Sequence, residues 1–198
     1  MADKYLELML TPKVTEAQRH YFGRAMAAGG TRENDALTED EQSFIGSRDS
    51  FYLATVTEAG WPYVQHRGGK PGFLRVVNPG QLAFADYRGN RQLISTGNLA
   101  ANDRVSLFLI DYPQRARLKI LGQARVEDAR EHPELVAQLT EPAERPLVER
   151  LFFIDVVSYD WNCPKYITPR YTAAEVEEAV PPLRRRITEL EAELQRQN

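Results

Sequence analysis

The chain has 198 residues, 42% of them hydrophobic and 27% charged, which suits one globular domain with a real core, with or without appendages. A net charge of −3 argues against broad nucleic-acid or anionic-membrane binding, which need a dominant basic field. One cysteine, Cys163, excludes an intrachain disulfide and, with only three histidines beside it, a cysteine-rich zinc site.

The N-terminus, MADKYLELML, carries charges before and inside its short apolar run and does not read as a signal peptide. No run approaches the ~20 apolar residues of a membrane span. A cytoplasmic protein is the expectation. The first fifty residues read as helical. Thr15 to Gln18 fits a capping box with a stop at Gly29-Gly30, and Thr38-x-x-Glu41 opens a second helix that buries Phe44 and Ile45.

The period then changes to two. "FYLATV" (51–56), the turn "TEAG" and "WPYVQHR" (61–67) predict a hairpin; "FLRVV" (73–77) and "QLAFAD" (81–86) predict another. A short helix is expected over 90–99, and "RVSLFLI" (104–110) reads as a buried strand. In "RARLKILGQARV" (115–126), Leu118, Ile120, Ala124 and Val126 face one way and Arg117, Lys119, Gln123 and Arg125 the other. Residues 131–150 predict helix interrupted by Pro142 and Pro146, and "LFFIDVVSYDW" (151–161) predicts a last strand. About six antiparallel strands with short turns and few helices favour a small barrel.

From residue 173 the chain is rich in Ala, Glu, Leu and Arg. Pro181-Pro182 are expected to break it, after which Leu183, Ile187, Leu190 and Leu194 recur at coiled-coil spacing. Two uses fit this stripe: packing on its own domain, or pairing with a partner subunit.

Polar side chains gather at strand ends. "QHRGGKPGF" (65–73) places His66, Arg67 and Lys70 beside three glycines, yet lacks the Ser or Thr that a Walker loop carries after its lysine. Asp86 to Arg91 leaves another strand, and Arg117 and Lys119 share a face of a third. Converging cations and the free N–H groups of a helix start suit a phosphate, and Gly68 and Gly69 allow a ligand against backbone. "DWNCPKYITPRY" (160–171) places Trp161, Cys163, Lys165 and Arg170 after the last strand. Cys163 lacks a local base and orienter, so packing is the expected role rather than nucleophilic catalysis. The motifs of serine hydrolases, zinc proteases and dinucleotide folds are absent.

In this order, "PYVQHRGGKPGF", "GQLAFADYRGNR", "RVSLFLI", "RARLKILGQARV" and a Trp-containing terminal segment resemble the pyridoxamine 5′-phosphate oxidase-like family over roughly residues 45–170. The resemblance implies a mainly β fold with flanking helices: an FMN-binding split β-barrel of antiparallel Greek-key type over 51–172. A helical segment (1–50) packs on it and a C-terminal helix (173–198) follows. It implies FMN at a homodimer interface, a small-molecule substrate, and cofactor contacts from Gln65, His66, Arg67, Gly68, Gly69, Lys70, Asp86, Asn90, Arg91, Arg117, Lys119, Trp161 and Arg170. No catalytic acid or base is implied. The chain departs from the oxidases at Gln65, where they carry a basic residue, and at Gly89-Asn90-Arg91, where they carry Ser-Arg-Lys. "WNCPKYITPR" also replaces their Arg-Leu-His segment. Vitamin B6 oxidation is therefore not expected. An FMN-dependent oxidoreductase of another small molecule is. The alternatives are a flavin, deazaflavin or haem carrier without turnover, and a barrel that only binds partners.

Overall fold

Alternating apolar residues build the strands. β1 (Ser50–Val56) buries Phe51, Leu53 and Thr55 and turns Tyr52 outward; β2 (Pro62–Gly68) pairs with it antiparallel, Leu53 opposite Gln65. The computed structural model describes residues 3–30, 33–161 and 164–197, so Cys163 lies outside the described residues. Two units divide the chain: Met1–Ile110 with Ala116–Cys163, and Asp111–Arg115 with Pro164–Asn198.

The first unit holds one sheet in the order β2-β1-β5-β6-β7-β4-β3, completed by β3 (Arg75–Asn78), β4 (Gln81–Tyr87), β5 (Arg104–Asp111), β6 (Ala116–Asp128) and β7 (Val148–Trp161). Three strands separate β1 from β4 in that order. Even so, Phe51 of β1 meets Phe84 of β4 edge to face at 5.4 Å, and Phe84 stacks on Phe152 of β7 at 4.7 Å. The sheet therefore curls around a common core: the small barrel that the strand pattern predicts, in the split form that the family resemblance implies. Phe51, Phe84 and Phe152 are fully buried, each stabilising the fold by ~1.5–3 kcal/mol of transfer free energy.

β6 follows its predicted alternation, with Leu118, Ile120 and Ala124 buried. Its pairing with β7 slips at Leu121/Gly122. Only glycine fits there, because a Cβ on Gly122 would stand 2.6 Å from Ile154 Cγ2 and 2.9 Å from the Asp155 carbonyl.

The helices depart more from expectation. Asp3–Met9 forms α1. Next, α2 (Pro12–Phe22) starts at the Thr11 cap with proline in its first turn and ends at Gly23 (φ 71°), not between Thr15 and Gly29. Thr15 sits inside the helix and donates to the Pro12 carbonyl at 2.9 Å, and Gln18 accepts from Met26 N–H. The second box is present: Glu41 accepts from Thr38 N–H (2.9 Å) and Thr38 Oγ1 (2.5 Å) at the start of α3 (Glu39–Gly46). α4 covers Ile94–Ala101, four residues later than expected at its start. The expected 131–150 helix is only α5 (Pro133–Leu139) between two short 3-10 turns, because Pro142 and Pro146 deny it hydrogen bonds and β7 begins at Val148.

In the second unit, α6 (Ala173–Gln197) runs through Pro181 and Pro182 rather than breaking there. The pair removes two backbone donors on an exposed stretch, where solvent can reach the freed carbonyls. Among the described residues no helix is long and apolar enough to cross a membrane.

Candidate functional site

The alternation of β2 sorts its side chains. Tyr63, Gln65 and Arg67 are half-buried on one face; Val64 and His66 are exposed on the other. Arg67 inserts its guanidinium between the strands and ion-pairs through Nη1 with Asp86 Oδ1 on β4. Arg150 Nε of β7 donates to the other Asp86 oxygen at 2.8 Å, as the Asp86–Arg150 register of the two strands dictates. The Arg67 guanidinium also lies 5.6 and 5.1 Å from the ring centres of Phe84 and Phe152. Buried charges require such partners. Arg67 Nε is buried with no hydrogen-bond partner among the described residues.

The segment leaving β4 completes a cleft. Asn90 Oδ1 accepts from Gln92 N–H at 3.1 Å, and Arg91 and Leu93 take left-handed backbone conformations (φ 60° and 53°) that non-glycine residues rarely adopt. Leu93 caps α4 without any side-chain bond, and the first helical bond runs from Gly97 N–H to the Leu93 carbonyl at 2.8 Å. The N–H groups of Ile94, Ser95 and Thr96 therefore have no acceptor within the helix. Those residues, with Gln65, Arg67, Asp86, Asn90, Arg91 and Arg150, line a cleft of about 200 Å³. Ser95 Oγ donates to Gln65 Oε1 at 2.8 Å, which fixes the carboxamide and leaves its Nε2 to donate. Backbone strain, an uncapped helix start and three guanidinium groups meet on one small cleft, an arrangement whose chemistry suits an anion.

The other predicted site residues lie elsewhere. His66 packs edge-on against Tyr52 at 5.6 Å on the exposed sheet face. A Cβ on Gly68 would reach His66, and one on Gly69 would stand 2.6 Å from Phe73, so Gly69 is glycine because the Phe73 ring fills that space. Lys70 pairs with Glu141 (2.8 Å) and Glu144 (3.2 Å), and those bonds raise its pKa. Tyr87, which lines the cleft, donates to Glu144; burial, then the Glu144 charge, raises its pKa. Lys119 binds Asp160 at 2.9 Å and lies over the Tyr5 ring. Burial alone would lower its pKa, but the bonds to Tyr5 and Asp160 outweigh it. Arg117 is half-buried on β6. In the second unit Arg170 stacks over Tyr112 at 4.8 Å.

Trp161 Nε1 donates to Glu41 Oε1, joining the end of β7 to α3. Burial would raise the Glu41 pKa; hydrogen bonds from Thr38, Trp161 and Tyr159 overcome this and hold it low. Burial and then the Glu41 charge push Tyr159 up to about 12. Among the described residues no group of three or more His, Cys, Asp or Glu is placed to hold a metal ion.

Tyr63, Ser95, Thr96 and Arg150 join the cleft without having been predicted. Arg150 had one signal: a buried Asp86 needs a cation. Only the β4–β7 register supplies the address.

A family model for pyridoxamine 5′-phosphate oxidase matches residues 37–153. No curated protein matches the chain. Among solved structures, a candidate pyridoxamine 5′-phosphate oxidase from Lactobacillus delbrueckii is similar at 22% identity and a TM-score of 0.50, over 63% of this chain and 93% of that one. At that identity the likeness shows the fold alone. An FMN-binding protein from Syntrophomonas wolfei is similar at 11% identity and a TM-score of 0.44, over 62% and 83% of the two chains.

Proposed function

The chain belongs to the pyridoxamine 5′-phosphate oxidase family, and from that premise we propose that it is a homodimeric FMN-dependent oxidoreductase acting on a small molecule. One observation carries the proposal: the uncapped start of α4 opens on the same cleft as Arg67, Arg91 and Arg150. The donor set fits a flavin phosphate. Three helix-start amides and the exposed Arg91 are arranged for a dianion, Arg67 Nε is an unused buried donor, and Gln65 offers an amide N–H to a ring carbonyl or nitrogen.

When bound, FMN supplies the hydride chemistry. This chain's residues bind and orient. Asp86 holds Arg67 and Arg150 in place, so their charges need no rearrangement when an anion arrives. Ser95 holds the Gln65 carboxamide in one orientation.

A cleft of about 200 Å³ is smaller than the ~300–1,000 Å³ of typical cofactor pockets, which supports completion by a second copy. The outer face of β2 and β1 offers the surface, with Val64 and Tyr52 59% and 39% exposed.

The test is an absorbance spectrum of the purified protein, mass spectrometry of the ligand released by heat, and sedimentation velocity. Oxidised-flavin bands, an FMN mass and a dimer are expected, with bleaching by NADH or NADPH under nitrogen. A colourless protein that ignores added FMN overturns the proposal.

A further inference from the structure

The apolar stripe of α6 runs through Val176, Val180, Leu183, Ile187, Leu190 and Leu194, at spacings of 4, 3, 4, 3 and 4. These are the a and d positions of a heptad, with a at Val180, Ile187 and Leu194. They put Pro181 and Pro182 on the side away from the seam. Leu183, Ile187, Leu190 and Leu194 are 63%, 55%, 42% and 61% exposed. A helix this exposed gains little stability from propensity alone.

The flanking charges are segregated. Arg184, Arg185 and Arg186 precede the stripe's centre, and Glu189, Glu191 and Glu193 follow it. Arg186 bonds Glu189 within the helix at 2.9 Å. Arg184 and Glu191 occupy e positions; Arg186 and Glu193 occupy g positions.

We propose that α6 pairs with α6 of a second copy as an antiparallel coiled coil. In the register that sets Ile187 against the second copy's Leu190, Leu183 meets Leu194. The same register sets Arg184 beside Glu191 and Arg186 beside Glu193, each twice by symmetry. A parallel pair in register would match only Arg186 with Glu191 and would set the two arginine runs side by side. The antiparallel arrangement also opposes the helix dipoles favourably. The pairing stands on charge and seam alone and does not depend on the flavin site.

Disulfide trapping in the full chain tests it, with Cys163→Ser as background. Arg184→Cys and Glu191→Cys proteins are mixed and oxidised. The antiparallel pair gives the heterodisulfide. Homodisulfides are lost, because like positions then sit seven residues of rise apart, ~10 Å, beyond the ~7 Å Cα limit. Adding Arg186→Glu to both proteins should abolish the cross-link, and adding Glu193→Arg as well should restore it. A cross-link between Arg186→Cys and Glu191→Cys proteins, the g–e pair that only a parallel coil brings together, would establish the parallel arrangement and overturn the proposal. Absence of any cross-link between unmodified charge patterns, as when the stripe is covered by its own chain or another protein, would overturn it too.

Discussion

Arg91→Gly separates side chain from backbone at the proposed phosphate site. The residue holds φ at 60°, so an alanine there would lose the guanidinium and keep the strain. Glycine loses the guanidinium and relieves roughly 1 kcal/mol of left-handed strain, offset by about 0.5–1 kcal/mol of extra unfolded-state freedom. Stability should therefore change little. A hydrogen bond to a charged group contributes about 1.5–3 kcal/mol, which predicts a 10- to 150-fold rise in the FMN Kd. The exposure of Arg91 favours the lower end. Flavin-fluorescence titration of wild type and variant, with FMN and with riboflavin, gives the decisive comparison. FMN affinity should fall while riboflavin affinity, which owes nothing to a phosphate, stays constant. Equal losses for both ligands, or none for FMN, would refute the assignment of Arg91 to the phosphate.

Three further perturbations probe the frame around the cleft. Asp86→Asn removes the carboxylate that Arg67 and Arg150 share, leaving Arg150 only Glu149, and should cost about 3–5 kcal/mol in denaturant melts. Gly122→Ala places a Cβ against Ile154 and the Asp155 carbonyl, and should lower stability by about 1–3 kcal/mol; an unchanged midpoint would mean the bulge is free to open. Glu41→Gln should cost roughly 1–3 kcal/mol at neutral pH. The folded pKa of Glu41 lies below its ordinary 4.5, so its contribution is complete above that value and fades as pH falls through the lower folded value. The gap between wild type and Glu41→Gln should therefore narrow in acid, measured by thermal melts between neutral pH and pH ~3.

The barrel was legible in the sequence because a half-buried strand repeats every two residues. Leu118, Ile120 and Ala124 announced their face directly, and "TEAG" announced the hairpin. Helix ends were less legible. Both Thr11-Pro12 and Thr15-x-x-Gln18 are valid starts, and the Thr11 side chain, which accepts from Val14 N–H ahead of a first-turn proline, takes the earlier one. The cleft was half legible. The residues of β2 and the 86–91 segment are local in sequence, but Arg150 arrives through long-range register. Lys70 reads in the sequence as a cofactor contact, and nothing local announces the Glu141 and Glu144 partners, some seventy residues on, that the fold brings to it.

The charge count of the cleft ties its parts together. Its ionised lining groups are Arg67, Arg91, Arg150 and Asp86, and Glu149 bonds Arg150 from beside the cleft at 3.0 Å, so the cluster keeps a net positive charge. A phosphate monoester carries about −1.5 to −2 at neutral pH. Without Asp86 the half-buried Arg67 guanidinium would lose its ion-pair partner, while Arg150 would keep only Glu149 at 3.0 Å. With it, Arg67 and Arg150 are fixed and half-neutralised while Arg91 stands exposed at the rim. At the proposed phosphate site the carboxylate would serve binding as well as folding, because it fixes Arg67 and Arg150 and leaves the cleft cationic. This balance predicts that Asp86→Asn, even where it folds, weakens discrimination between FMN and inorganic phosphate rather than strengthening FMN binding.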